Sequence, residues 1–145
     1  MKPSKQSNHE LAADVWRHLF DFIILTRAHR DRALEQYGLT PNDSRALFSL
    51  DADGRPIGEL ASEWVCDPSN ATWIVDRLET AGLAERRPDP ADRRVKRVAL
   101  TRRGVKTKEQ LRAQLYDPPD ELVALDRDAL EQLLAAARKL VGRDE

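Results

Sequence analysis

Residues 67–101, DPSNATWIVDRLETAGLAERRPDPADRRVKRVALT, decide the fold, because they set a capped helix directly before a hairpin with an arginine-rich tip. Asp67 is a strong N-cap type, and Pro68 suits the first helical position, where its missing N–H would be unpaired anyway. Ala71, Ile74, Val75, Leu78 and Ala81 then recur at helical spacing and define a buried face. Ser69, Asn70, Thr72, Trp73, Asp76 and Arg77 fall on the opposite, polar face. Gly82 ends the helix by the left-handed route, and two strand-like runs follow, 83–87 and 95–100. Between them the prolines of PDPADRR exclude further helix. A helix with short hydrogen-bonding side chains followed by a basic hairpin points to DNA binding.

These residues resemble the multiple antibiotic resistance regulator (MarR) family of winged helix-turn-helix transcription factors. The run Asp92-Arg93-Arg94-Val95-Lys96-Arg97-Val98-Ala99-Leu100-Thr101 is similar to the family's D-x-R wing and V-x-L-T strand end. DPSNATWIVDRLETAGL resembles its recognition helix. The resemblance runs from about residue 10 to 140 and is sharpest over 57–104. It implies a mainly α fold with a small β-hairpin wing: a winged helix-turn-helix over about 40–100, and dimerisation helices over about 9–37 and 101–142, within one domain spanning 1–145. It further implies that Asp92 braces Arg94, which enters the minor groove, where narrow A·T-rich segments attract arginine. A small aromatic or phenolic ligand that releases DNA is implied too, although no residue fixes its chemistry.

Composition agrees with one ordinary globular domain: 145 residues, 41% apolar and 34% charged. No apolar run approaches the ~18 to 20 residues needed to cross a bilayer. The opening MKPSKQSNHE lacks the apolar core of a secretory signal, and a single cysteine, Cys66, excludes an internal disulfide, so a reducing cytoplasm is expected. A net charge of -1 would seem to argue against nucleic acid. The average misleads, because residues 84–116 hold eleven Lys or Arg against four acids. Positive charge is concentrated on the wing and the helix after it.

Outside the decisive stretch, residues 9–37 contain no proline or glycine and read as one helix roughly 43 Å long. It carries two apolar edges, Leu11, Val15, Leu19, Phe22 and Trp16, Phe20, Ile23, Ile24, one for its own subunit and one for a partner. Thr40 and Pro41 open a second helix to about Leu50, and DADGR is a turn. A third helix is expected over 58–66, with Ile57, Leu60, Ala61 and Val65 inward. Thr101 caps a fifth to about Tyr116, and Asp126 starts the last, whose stripe is Leu130, Leu133, Leu134, Ala137 and Leu140.

An enzyme would need a nucleophile with its base, a metal cluster or a phosphate loop. His9, His18 and His29 do not have the i, i+4 spacing that places two ligands on one helix face, and no glycine-rich loop occurs. No cofactor or metal is expected. Cys66 reads as a small buried thiol, and Trp16 and Trp64 as core or dimer packing residues. Trp73 either leans back to pack or reaches DNA, at the backbone or a thymine methyl.

Asn70 and Arg77 are the best base-edge readers, since asparagine pairs bidentately with adenine and arginine with guanine. Ser69, Thr72 and Trp73 follow, while Asp92, Arg93, Arg94 and Lys96 form the wing contact, with Arg93 suited to phosphates. The reading is a homodimeric, sequence-specific regulator of transcription on double-stranded DNA, a repressor on a pseudo-palindromic operator with one helix per half-site. The alternative is a winged-helix protein-interaction module without specific DNA binding. Its wing would be acidic or apolar.

Overall fold

The structure, a computed structural model, describes residues 6–142. The opening residues 1–5, part of the segment weighed as a signal, lie outside the described residues. The elements run α1 (Asn8–Leu25), α2 (Arg27–Glu35), α3 (Pro41–Ser49), β1 (Arg55–Pro56), α4 (Ile57–Glu63), α5 (Pro68–Thr80), β2 (Ala84–Pro88), β3 (Lys96–Leu100), α6 (Arg102–Tyr116), α7 (Asp120–Val123) and α8 (Arg127–Val141). The chain read as one domain divides into two compact units, one ending at Leu115 and one beginning at Tyr116. No helix of the described residues is long and apolar enough to cross a membrane.

Local chemistry sets the ends of the central helices. The Thr40 hydroxyl accepts the Asp43 N–H at 3.2 Å while the Asp43 carboxylate accepts the Thr40 N–H at 2.9 Å, a reciprocal cap that starts α3. Asp67 accepts the Asn70 N–H at 2.9 Å and starts α5, and Gly82 takes φ 71° just beyond its end. The expected inward face of α5 is the observed one, with Ala71, Ile74, Val75 and Leu78 buried. They join Leu47 and Leu50 from α3 and its end, Leu60 from α4, Val98 and Leu100 from β3 and Leu111 from α6 in one core. Each buried side chain of this size contributes about 1.5–3 kcal/mol. One core therefore fixes α5 and the sheet together.

The wing is larger than a hairpin. Its antiparallel sheet has the order β1-β3-β2, with Arg55 opposite Val98 and Arg86 opposite Val98 on the other side. Arg55, read as the end of a turn, is therefore a strand residue. Asp51 closes that turn by accepting the Asp53 and Gly54 N–H groups, each at 2.9 Å, which delivers Arg55 to the edge of β3.

The single helix expected over 9–37 is broken at Thr26, which has ψ 8°. The Thr26 hydroxyl donates back to the Phe22 carbonyl at 2.8 Å, and the Arg30 guanidinium donates to the Thr26 hydroxyl and the Ile23 carbonyl. The Phe22 carbonyl thus keeps the Thr26 N–H at 3.0 Å and gains its hydroxyl, while Arg30 takes the Ile23 carbonyl where the ladder stops, the usual setting of a bend. At 18 residues α1 is roughly 27 Å long, not 43 Å. Its apolar positions Leu11, Val15, Trp16, Phe20, Ile23 and Ile24 are exposed, so Trp16 is no core residue. In the second unit α8 begins at its Asp126 cap as expected, and Leu133, Leu134 and Leu140 are exposed. The short α7 is an addition to the expected elements.

The third helix also ends early. The Cys66 N–H reaches back to the Ala61 carbonyl at 3.1 Å and the Val65 N–H to the Ser62 carbonyl at 3.2 Å, a Schellman closure. That closure needs a left-handed residue, and it falls on Val65, with φ 52° and a side chain 91% exposed. Val65 therefore does not face inward as expected, and Cys66 lies past the helix, only partly buried. A β-branched residue in this conformation costs about 1 kcal/mol or more. Val65→Gly is expected to stabilise the fold by about 1 kcal/mol, raising the thermal midpoint by a few degrees. An unchanged or lower midpoint would show that the turn is unstrained.

Candidate nucleic-acid interface

The outer face of α5 presents Ser69, Asn70, Thr72 and Trp73 to solvent. They differ in what they have free. The Ser69 hydroxyl donates to the Asp67 carboxylate, and that bond, with the Asn70 N–H, holds the Asp67 carboxyl below its ordinary range. Thr72 donates to the Pro68 carbonyl at 2.9 Å. The Asn70 side-chain amide has no partner among the described residues and keeps both its donor and its acceptor edge.

Arg77 is placed differently from its expected role as a base reader. Its Nε lies 3.0 Å from Asp43 Oδ1 and its Nη2 2.7 Å from Asp43 Oδ2, which ties α5 to the start of α3. Asp43 is 1% exposed. The pair engages the Nε–Nη2 edge of the guanidinium, so Arg77 braces the helix and leaves its Nη1 edge, on a side chain 37% exposed, as the edge that could meet a base. Its carbon sits 5.1 Å from the Trp73 ring centroid, within cation–π reach. Trp73 thus stays outward, 55% exposed, rather than packing into the core. Trp64 does pack, donating its indole N–H to the Ser49 hydroxyl at 2.9 Å.

A second brace joins α5 to the wing. Arg86 of β2 pairs with Asp76 at 2.7 Å and with Glu79, and its N–H donates to Glu79 at 3.0 Å. By sequence alone Arg86 counts with the DNA-facing charge of 84–116.

At the wing, Asp92 accepts the Arg94 backbone N–H at 3.0 Å. The brace expected from Asp92 therefore acts on the backbone of Arg94, not on its guanidinium. Asp89 accepts the Ala91 N–H at 2.8 Å and a guanidinium N–H of Arg97 at 2.9 Å, and Arg97 is the main reason its carboxyl sits below the ordinary range. These contacts shape the loop and use up Arg97. Arg87 pairs with Glu85. Lys108 donates to the Leu50 carbonyl, and burial, then the charge of Arg112, depresses its pKa against the opposing pull of Asp51. Arg112 lies over the Phe48 ring at 5.6 Å. Within residues 84–116, what remains exposed without a partner among the described residues is Arg93, Arg94 and Lys96 on the wing, with Arg102, Arg103 and Lys106 at the start of α6. The basic segment thus narrows to two groups at opposite ends of β3, one at the wing tip and one at the start of α6.

Comparison with known proteins matches residues 37–95 to a family model described as the MarR family. YsmB of Bacillus subtilis, a helix-turn-helix transcriptional regulator, is 31% identical over 133 residues, covering 86% of this chain and 91% of YsmB. The crystal structure of YusO from Bacillus subtilis superposes with a TM-score of 0.76 at 26% identity, covering 94% of this chain and 99% of that one. The MepR–DNA complex of Staphylococcus aureus shares the fold, with a TM-score of 0.62 at 23% identity, covering 88% of this chain and 99% of that one.

Proposed function

The chain belongs to the MarR family and is a DNA-binding regulator of transcription, not an enzyme, and we propose that it works as a homodimeric repressor on a pseudo-palindromic operator. The observation that carries this reading is the separation of two chemistries on one rigid core. The outer face of α5 offers an unengaged Asn70 amide, and the wing beside it offers unpaired cations. Base edges specify and phosphates position, so a reader and an electrostatic clamp are both needed. In this reading Asn70, with Ser69, Thr72 and Trp73, enters the major groove. Arg93, Arg94 and Lys96 lie along the adjacent backbone and minor groove, on a loop shaped by Asp92.

Exposed Leu11, Val15, Trp16, Phe20, Ile23 and Ile24 on α1 support the dimer. Apolar surface of this extent marks an interaction site. The fold relative MepR is itself known bound to DNA. Work on an operator places the protein in the cytoplasm. The releasing ligand, of aromatic or phenolic chemistry, rests on the family resemblance.

Selecting DNA fragments with the purified protein tests this. The expected result is an inverted repeat with half-sites about one helical turn, 10–10.5 base pairs, or a multiple of it, apart. An enriched site without a repeat would overturn the dimer, and no enrichment would overturn sequence recognition.

A further inference from the structure

On the outer face of α5, Trp73 is the one large apolar group exposed among the described residues. Its ring is not free to rotate at will. The Arg77 guanidinium lies over it at 5.1 Å, and that guanidinium is itself held by two charge-assisted bonds, 3.0 and 2.7 Å, to Asp43. Asp43 is buried and anchored in turn by the Thr40 N–H at 2.9 Å. A buried carboxylate on α3 thus orients a guanidinium on α5, which orients an indole one helical turn earlier.

The charged neighbours on that part of the helix are already engaged. Arg77 is taken by Asp43, Asp76 by Arg86 at 2.7 Å, and Glu79 by Arg86 as well. What this stretch of α5 offers to DNA is therefore an indole whose orientation Arg77 biases, with an apolar ring surface and an N–H that no described residue accepts. The major groove presents one matching apolar feature, the C5-methyl group of thymine. A phosphate or a purine acceptor would take the indole N–H, whereas the carbon surface of the ring matches the methyl group alone.

We infer that Trp73 selects thymine in the operator through the 5-methyl group, with Arg77 and Asp43 as positioning residues. The inference rests on the reading of α5 as the major-groove helix. The rigid orientation is what turns an exposed tryptophan into a selector, because a mobile ring would contact sugar, phosphate or base indiscriminately.

The test uses the full chain and the selected operator, with each thymine replaced in turn by deoxyuridine, which removes the methyl group and no hydrogen bond. Wild type is expected to lose about fourfold in affinity at one position of each half-site, the value of one buried methyl-sized group. Trp73→Ala should bind the thymine and deoxyuridine forms of that position equally. Arg77→Lys, which keeps the charge beside Asp43 but loses the planar fork, should reduce the thymine-to-deoxyuridine ratio while leaving the adenine preference assigned to Asn70 intact. A merely structural role for Arg77 would lower affinity for all sites without changing that ratio. The proposal is overturned if deoxyuridine is tolerated at every position, or if the discrimination survives in Trp73→Ala. Either result leaves the reading of α5 standing, since that reading fails separately, if Asn70→Ala binds the selected operator like wild type.

Discussion

Asp43→Ala is expected to lower the unfolding free energy by about 3 kcal/mol. Two losses combine. The reciprocal cap with Thr40 disappears, which costs about 1 kcal/mol. The ion pair with Arg77 disappears as well, at about 2 kcal/mol; this lies below the range for a fully buried pair because Arg77 is 37% exposed and regains water. Arg77→Ala should be the more damaging change, although Arg77 is the more exposed partner. It strands a carboxylate that is 1% exposed. The double variant should cost less than the sum of the two.

The pair also predicts a response to acid. Burial pushes the Asp43 carboxyl up, but hydrogen bonds from Arg77 and Thr40, with the Arg77 charge, outweigh it and hold the group below its ordinary range. A depressed carboxylate pKa contributes stability above the unfolded value of about 3.9, and that stability is lost as pH falls through the native value. In Arg77→Ala the Asp43 pKa should rise, so acid unfolding should begin at a higher pH than in wild type. Urea melts across a pH series measure both effects. An Asp43→Ala protein as stable as wild type would contradict the account of the brace.

Gly104→Ala is expected to cost at least about 3 kcal/mol, through crowding. Gly104 lies where the first turn of α6 passes over the chain entering β2. The Leu83 carbonyl there accepts the Thr101 N–H at 3.1 Å, and the Thr101 hydroxyl accepts the Gly104 N–H at 3.0 Å. A Cβ at Gly104 would sit 1.9 Å from the Leu83 oxygen and 2.9 Å from its carbon. Both are backbone atoms, so no side-chain rotation relieves the overlap, and α6 must move off the sheet. The expected variant melts far below wild type and binds operator weakly because its wing is displaced. A Gly104→Ala protein with wild-type melting would show that the close approach is wrong.

The features legible in the sequence were those governed by neighbours within a few residues. Asp67-Pro68, Thr40-Pro41, Thr101, Asp126 and Gly82 announce helix ends through hydrogen bonds that close within three or four positions. The alternation of polar and apolar residues along 68–80 likewise identified the outer face of α5. The features that escaped reading depend on partners far along the chain or on one residue's unusual backbone. Arg77 looks like an unengaged side chain until Asp43, 34 positions away, is found paired with it. Arg86 and Arg97 look like phosphate contacts until Asp76 and Asp89 claim them. Arg55 becomes a strand residue only because β3 passes beside it. At Thr26 and Val65 nothing in residue type forbids helix. There the competition is settled by a hydroxyl returning to a carbonyl, and by a Schellman closure that accepts valine in place of glycine.

The central claim is that α5 reads bases while the wing supplies electrostatic grip. Fluorescence anisotropy of Asn70→Ala and Arg94→Ala on the selected operator and on random DNA, across a salt series, tests it most directly. Asn70→Ala should lose about 1–3 kcal/mol on the operator and little on random DNA, because it removes hydrogen bonds to a base edge. Arg94→Ala should weaken binding to both, with a log–log salt slope shallower by about 1 per subunit, because one phosphate-facing cation no longer displaces counterions. If Arg94→Ala binds both DNAs like wild type at every salt concentration, the wing does not touch DNA, and a protein-interaction module becomes the better description of the fold.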